Sequence, residues 1–287
     1  MNNNNYLINP VQIGVNDCIM QLGGYWPPLC GLARLMEEYA ELLESIHQAD
    51  AENIQEEIAD CLFIAITIAN QYCARIDKTD LTIKQQDGWS SLELLAVAIG
   101  ELARTLNCYE GLKPPKPGEN LQTVETCSNQ IFALLNSLAA DYHIDLDSVL
   151  AKKINWLKQR DKDRFSKAFD PSQSELLAQI ELTNTEKIWA GPTWDPLIDD
   201  KENINANIPH LLRFLKVASF ENITHYLFYS PDARSVQACL QRLLQENEKI
   251  LLQNMKYFGK NKVIIIYNDT KYTLGPVNFN LPSLVKN

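Results

Sequence analysis

Glycine and proline are scarce in this chain of 287 residues, 11 and 13 of them, which excludes a collagen-like or low-complexity polymer. No long hydrophobic run is present. The longest, Cys61 to Ala69, is interrupted by Thr67 and falls far short of the roughly 18 to 20 apolar residues a membrane span requires. Histidine is rare, four in all and without a His-x-x-x-His pair, and the seven cysteines form no Cys-x-x-Cys, so neither supplies zinc-ligand spacing. An odd cysteine number within apolar helical patterns reads as reduced thiols and a cytoplasmic location. The stretch from Met1 to Asn9 has neither a basic segment nor an apolar one, so no signal peptide is expected. Excess positive charge is lacking too. The formal net charge is −10, which makes nucleic-acid polymers and membranes poor partners.

What the chain does have is 46% apolar residues, enough for one large core or two ordinary ones, and a concentration of acid. Between Leu29 and Asn70 stand Glu37, Glu38, Glu41, Glu44, Asp50, Glu52, Glu56, Glu57 and Asp60 against a single base, Arg34. Nine acids less one base leave −8 of the total −10 in this stretch. Acid at that density either faces water or holds cations.

Hydrophobic periodicity predicts helices over 29–47, after the Trp26-Pro27-Pro28 breaker, and over 51–76 behind Asp50 as N-cap. Further helices are expected at 91–109, 120–141 and 146–168, the last capped by Asp145, with a proline-rich hinge at 113–118. The expected organisation is an N-terminal segment (1–28), a helical bundle (29–169), a linker with some local structure (170–206) and a small α/β domain (207–287). In that last part, strands are predicted at 223–229, 263–267 and about 270–274, with a helix at 232–255. It carries no phosphate loop and no nucleophile elbow, so no chemistry is assigned to it.

The chemistry-bearing pattern is Glu37-Glu38-x-x-Glu41, followed by Glu57-x-x-Asp60. Residues three apart share one helix face, so Glu38 with Glu41 and Glu57 with Asp60 form carboxylate pairs on consecutive antiparallel helices. On the first helix Leu32, Leu35, Met36, Tyr39, Leu42, Leu43 and Ile46 form the expected buried stripe, with Glu38 at its margin. The second helix is apolar nearly all round from Ile58 to Ala69, and Asp60 sits inside that run. An ionised carboxylate in such a place needs a partner, and basic residues are lacking nearby in sequence. A hard divalent cation such as Mg²⁺ suits an all-oxygen site. Either acid pair alone is commonplace on solvated helices; their combination in one hairpin is not.

These residues resemble those of the all-α nucleoside triphosphate pyrophosphohydrolases, the MazG-like group related to the dimeric dUTPases, over roughly 29–168. The fold implied is an all-α helical bundle, here with an appended small α/β C-terminal domain. The resemblance implies that Glu38, Glu41, Glu57 and Asp60 bind Mg²⁺, for which Mn²⁺ is a substitute. It implies cleavage of the α–β anhydride of a nucleoside triphosphate to a monophosphate and pyrophosphate, with Glu37 and Glu41 as the catalytic acids that orient water. Lys153, Asn155, Trp156 and Arg160 resemble the basic closing helix of the family, whose cations meet the phosphates; Trp156 is placed to stack on a base. The competing expectation is a nucleotide-sensing or scaffold module that binds without turnover and acts through its α/β domain.

The third and fourth predicted helices echo the first two. Glu101-x-x-Arg104 and Glu125-x-x-Ser128 stand where acid pairs would be, each with one acid lost. The chain is therefore expected either to form a homo-oligomer or to be an internal pseudo-dimer with one retired half.

Overall fold

The computed structural model describes residues 6–7, 9–22, 25–78, 83, 87–110, 113 and 115–160, together with strand residues 181–182, 186–189, 225–229, 262–267, 270–274 and 284–286. The chain divides into two compact units, one of residues 9–169 and the other of residues 1–8 with 170–287.

The first unit is helical: α1 (Pro10–Gln21), α2 (Pro28–Gln48), α3 (Ala51–Gln71), α4 (Ser91–Tyr109), α5 (Val124–Asp141) and α6 (Leu146–Arg160). The helix starts have local causes. Pro28 opens α2, where its missing N–H costs nothing. Asp50 caps α3 by accepting from the Asn53 N–H at 3.2 Å, and Ser90 and Glu93 form a reciprocal capping box on α4. Thr123 caps α5, and Asp145 Oδ1 accepts from the Ser148 N–H at 3.3 Å at the head of α6. Between α2 and α3 the turn is minimal. Ala49 adopts a left-handed conformation, φ 56°, and the Ala49 and Asp50 N–H groups bond back to Ile46 and Ser45, closing the end of α2.

The α2–α3 hairpin packs against an α4–α5 hairpin, α3 meeting α5 and α2 meeting α4. Helix α3 also meets α1 and α6, which explains its all-round apolar sequence: every residue from Cys61 to Ala69 is buried. Ile58, Leu62, Ile66 and Ile68 are each at most 1% exposed, and full burial of such a side chain stabilises by roughly 1.5–3 kcal/mol. At Gly31 the backbone of α2 comes close to α3; a Cβ there would lie 3.3 Å from Ile68 Cγ1.

Three expectations are corrected. Within the expected N-terminal segment, Pro10–Gln21 form α1, a helix that packs on α3 and α6. Its inward face carries Gln12, whose amide donates to Asn70 Oδ1 and the Ala74 carbonyl, both at 2.8 Å, and accepts from the Ile76 N–H at 2.8 Å. The second predicted helix stops at Gln71 rather than 76, since Cys73 takes φ 52° and the following strand of chain is pinned by Gln12 and by Glu125. On α2 the buried positions are Gly31, Leu35, Glu38, Leu42 and Ser45; Met36 and Leu43, expected inside, are 46% and 45% exposed.

In the second unit β1 (Tyr6–Leu7) pairs antiparallel with β2 (Glu181–Leu182). Five further strands, β3 (Glu186–Trp189), β4 (His225–Tyr229), β5 (Lys262–Tyr267), β6 (Thr270–Leu274) and β7 (Leu284–Lys286), form one sheet in that order. The β3, β4 and β5 strands run parallel and β6 and β7 antiparallel. Two strands, β2 and β3, fall in the stretch read as a linker. The helix predicted at 232–255 and the end of the one predicted at 146–168 lie outside the described residues.

Candidate metal and nucleotide site

The acids occupy the C-terminal half of α2 and the start of α3, which the tight turn at Ala49–Asp50 brings side by side. Glu38 lies on the buried stripe of α2 and is 4% exposed. Glu41, one turn on, is exposed, and Glu57 is half-buried. One carboxylate oxygen from each of Glu38, Glu41 and Glu57 lies within 4.8 Å of the others. Burial and mutual repulsion act on them together. The Glu38 carboxyl is pushed up to about 7 by burial and then by the charge of Asp60, against the pull of Arg34. Glu57 is likewise raised to about 7 by burial, then by Asp60, Glu41 and Glu38. Its Oε2 atom is buried and has no hydrogen-bond partner among the described residues. Three hard oxygen donors converge here with one acceptor unspent, and that donor set fits a divalent cation.

The structure does not bring Asp60 into this trio. Its Oδ2 takes the Lys153 ammonium at 2.6 Å. The premise that Asp60 lacks a basic partner is thus overturned: the partner comes from α6, beyond the reach of any local pattern. Burial raises the Asp60 pKa, and the Lys153 hydrogen bond and charge oppose that rise. Lys153 itself is only 12% exposed on its side chain and also meets Glu56 Oε1 at 3.5 Å. Glu56 is therefore part of the site's charge balance.

The remaining predicted residues fall as follows. Glu37 is exposed and takes Arg34 at 2.9 Å, while Arg34 also pairs with Glu38. This clamp, missed in the sequence reading, was signalled by the i, i+3 and i, i+4 spacings. Trp156 is 45% exposed, with the Lys153 ammonium 4.8 Å from its ring centre and the Arg160 guanidinium 4.3 Å away. Lys153 and Trp156 are three apart on α6, and Trp156 and Arg160 four apart, so both cation–π contacts follow from helix geometry. Asn155 is exposed beside them.

The echo in the second hairpin has other work. Glu125 accepts from the Arg75 N–H at 2.9 Å and from its guanidinium at 3.2 Å. Arg104 pairs with Glu119, whose carboxyl is held down to about 2 chiefly by that hydrogen bond. Ser128 Oγ is buried. Glu125 and Arg104 thus tie loops to helices, whereas Ser128 Oγ has no hydrogen-bond partner among the described residues.

The carboxylates of Glu38, Glu41 and Glu57 facing one another across a helical hairpin are a donor set that fits a divalent cation. Residues 28–84 match the family model of the MazG nucleotide pyrophosphohydrolase domain, and this part of the chain is MazG-like. The match spans α2, α3 and hence all the acids of the site. No curated protein and no solved structure matches the chain. Among the described residues no helix is long and apolar enough to cross a membrane.

Proposed function

We propose that the chain is a Mg²⁺-dependent nucleoside triphosphate pyrophosphohydrolase, acting on an NTP or dNTP. The observation that carries this reading is the convergence of Glu38, Glu41 and Glu57 within 4.8 Å, inside the segment that matches the MazG domain. These three would hold the ion, Mg²⁺ or in its place Mn²⁺. When bound, the cation supplies charge neutralisation for the polyphosphate and for the departing pyrophosphate. Glu41, the most open of the three, orients water toward the α-phosphorus. The new bond joins that oxygen to the α-phosphorus, the α–β bridging bond breaks, and pyrophosphate leaves with the electron pair. On α6 the exposed Asn155 and the Arg160 guanidinium offer donors to phosphate oxygens, and Trp156, 45% exposed, is the aromatic residue nearest them for contact with a base once its cation–π partners turn to the phosphates.

The packing of α2–α3 on α4–α5, α3 to α5 and α2 to α4, supports an internal pseudo-dimer that needs no second chain to complete its bundle. The same proposal takes the protein to be cytoplasmic and β3 to β7, one sheet, to belong to an appended α/β domain that begins before residue 207. One measurement tests the activity: pyrophosphate release from a panel of NTPs and dNTPs with Mg²⁺, for wild type, Glu41→Gln and Glu57→Gln. A loss of at least about 100-fold in both variants is expected, the scale on which removal of one transition-state charge contact acts. Equal release by all three proteins rejects the assignment.

The engagement of Asp60 by Lys153 favours one alternative, a nucleotide sensor that binds without turnover and signals through the α/β domain. Thermal stabilisation by a nucleotide with no product formed would select it.

A further inference from the structure

We infer that Arg34 is a substrate-binding residue: its guanidinium, held beside the acids by Glu37 and Glu38, takes the β- and γ-phosphates of the triphosphate, the part that departs as pyrophosphate. This rests on the function proposed above and adds a residue of α2 to the donors on α6.

Arg34, Glu38 and Glu41 stand at i, i+4 and i+7 on α2, which puts all three on one stripe of the helix. Glu38 lies in the middle, with Glu41 a turn further on. Arg34 is a turn back, about 10 Å of helix from Glu41. With Glu41 orienting the water, attack on the α-phosphorus sends the leaving group to the side away from that water, because entering and departing oxygens lie roughly in line. Along α2 the side away from Glu41 is the side of Arg34. Two cations touch the acids, and they differ in what they have left to give. Lys153 is 12% exposed and set between Asp60 and Glu56. Arg34 is 47% exposed. Its Nη1 donates to Glu37 at 2.9 Å and its Nη2 to Glu38, so of the five N–H donors of a guanidinium the others are unspent among the described residues. Such a planar fork suits paired phosphate oxygens as well as carboxylates. It also need not leave for a divalent ion to arrive. Arg34 holds Glu38 Oε1, and Oε2 stays open to the ion, so one carboxylate joins the cation site to the guanidinium. Arg34 is the sole lysine or arginine between Leu29 and Asn70. A polyphosphate approaching this face of α2 meets carboxylates everywhere except at Arg34. Arg34 forms and breaks no covalent bond and keeps its proton; it binds the group that leaves.

Titration calorimetry of inorganic pyrophosphate into the full chain at saturating Mg²⁺ tests this without turnover, with Mn²⁺ affinity measured separately by electron paramagnetic resonance. Arg34→Gln should weaken pyrophosphate binding by at least about tenfold, the loss of a charge-assisted contact, and Arg34→Lys by less. Neither should weaken Mn²⁺ binding, since Arg34 is a like charge beside the ion. Lys152→Gln removes the same charge from an exposed position on α6 and should stay within about twofold of wild type, because a distant exposed charge is screened. An Arg34→Gln protein that binds pyrophosphate as wild type does overturns the inference. An equal loss in Lys152→Gln overturns it too, by making the effect one of overall charge. So does a fall in Mn²⁺ affinity large enough to account for the loss in Arg34→Gln, and so does a wild type that binds Mn²⁺ but no pyrophosphate. A wild type that binds neither is a different outcome: it sinks the proposed function, and this inference with it.

Discussion

Glu125 receives both the backbone N–H and the guanidinium of Arg75, at 2.9 and 3.2 Å, and so fastens the chain leaving α3 to the first turn of α5. A position that echoes a metal-ligating acid serves here as a structural clamp. Glu125→Ala should cost about 1–3 kcal/mol, the penalty for leaving half-buried donors without their acceptor. Urea unfolding measures this, and Mn²⁺ binding to the folded variant should be unchanged.

Gln12 holds the same segment on either side of Arg75. Removing its amide by Gln12→Ala leaves the Ala74 carbonyl and the Ile76 N–H without their partners. A loss of about 2–4 kcal/mol is expected from two buried hydrogen bonds, readable as a lower urea midpoint. A change smaller than about 0.5 kcal/mol would mean that α1 contributes little to the bundle.

Neighbouring positions on α2 should behave oppositely. Leu35 is fully buried, and Met36 is 46% exposed. Leu35→Ala should destabilise by about 2–5 kcal/mol through the cavity it leaves. Met36→Gln should stay within about 0.5 kcal/mol. Thermal melts of the pair would show whether the stripe runs through Leu35, Glu38 and Leu42 as the structure has it.

The protonation of Glu38 and Glu57 sets a pH dependence. Both carboxyls are raised to about 7 in the fold, above an unfolded value of about 4.3. Between those values the native state binds more protons than the unfolded one, so stability falls as pH rises through this window. The metal-free protein should therefore melt higher at about pH 6 than at about pH 8, and Glu57→Gln should flatten that slope. Cation affinity should run the other way, rising with pH as the protons leave. A metal-free melting point that climbs toward alkaline pH would contradict the burial of these acids.

Much of this architecture was legible because it is written at short range. The spans of α2 and α4, the Asp50 and Asp145 caps and the positions of β4, β5 and β6 follow from apolar spacing and turn residues, whereas β7 was not expected. So does the face-to-face arrangement of Glu38, Glu41 and Glu57, which needs only helix periodicity and a two-residue turn. Helix α1 escaped because its inward face includes Gln12 and Asn16, polar residues satisfied by hydrogen bonds that no hydrophobic pattern records. The exposed Met36 and Leu43 were misread for the complementary reason: on α2 the buried stripe passes through Glu38 and Ser45, and apolar character alone points to the wrong side. The ion pair of Asp60 was not legible, because Lys153 is 93 positions distant. Only tertiary packing brings them together.

That separation has a consequence during synthesis. The α2–α3 hairpin emerges from the ribosome well before Lys153 is added, and domains begin to form while the chain is still being made. For that interval the acid end of the hairpin lacks one of its cations. The nascent hairpin is then a self-repelling object, held mainly by its apolar seam, and the docking of α6 is the step that relieves the repulsion. Free divalent ions in the surrounding fluid could serve the growing chain as a temporary counter-charge before its own lysine arrives.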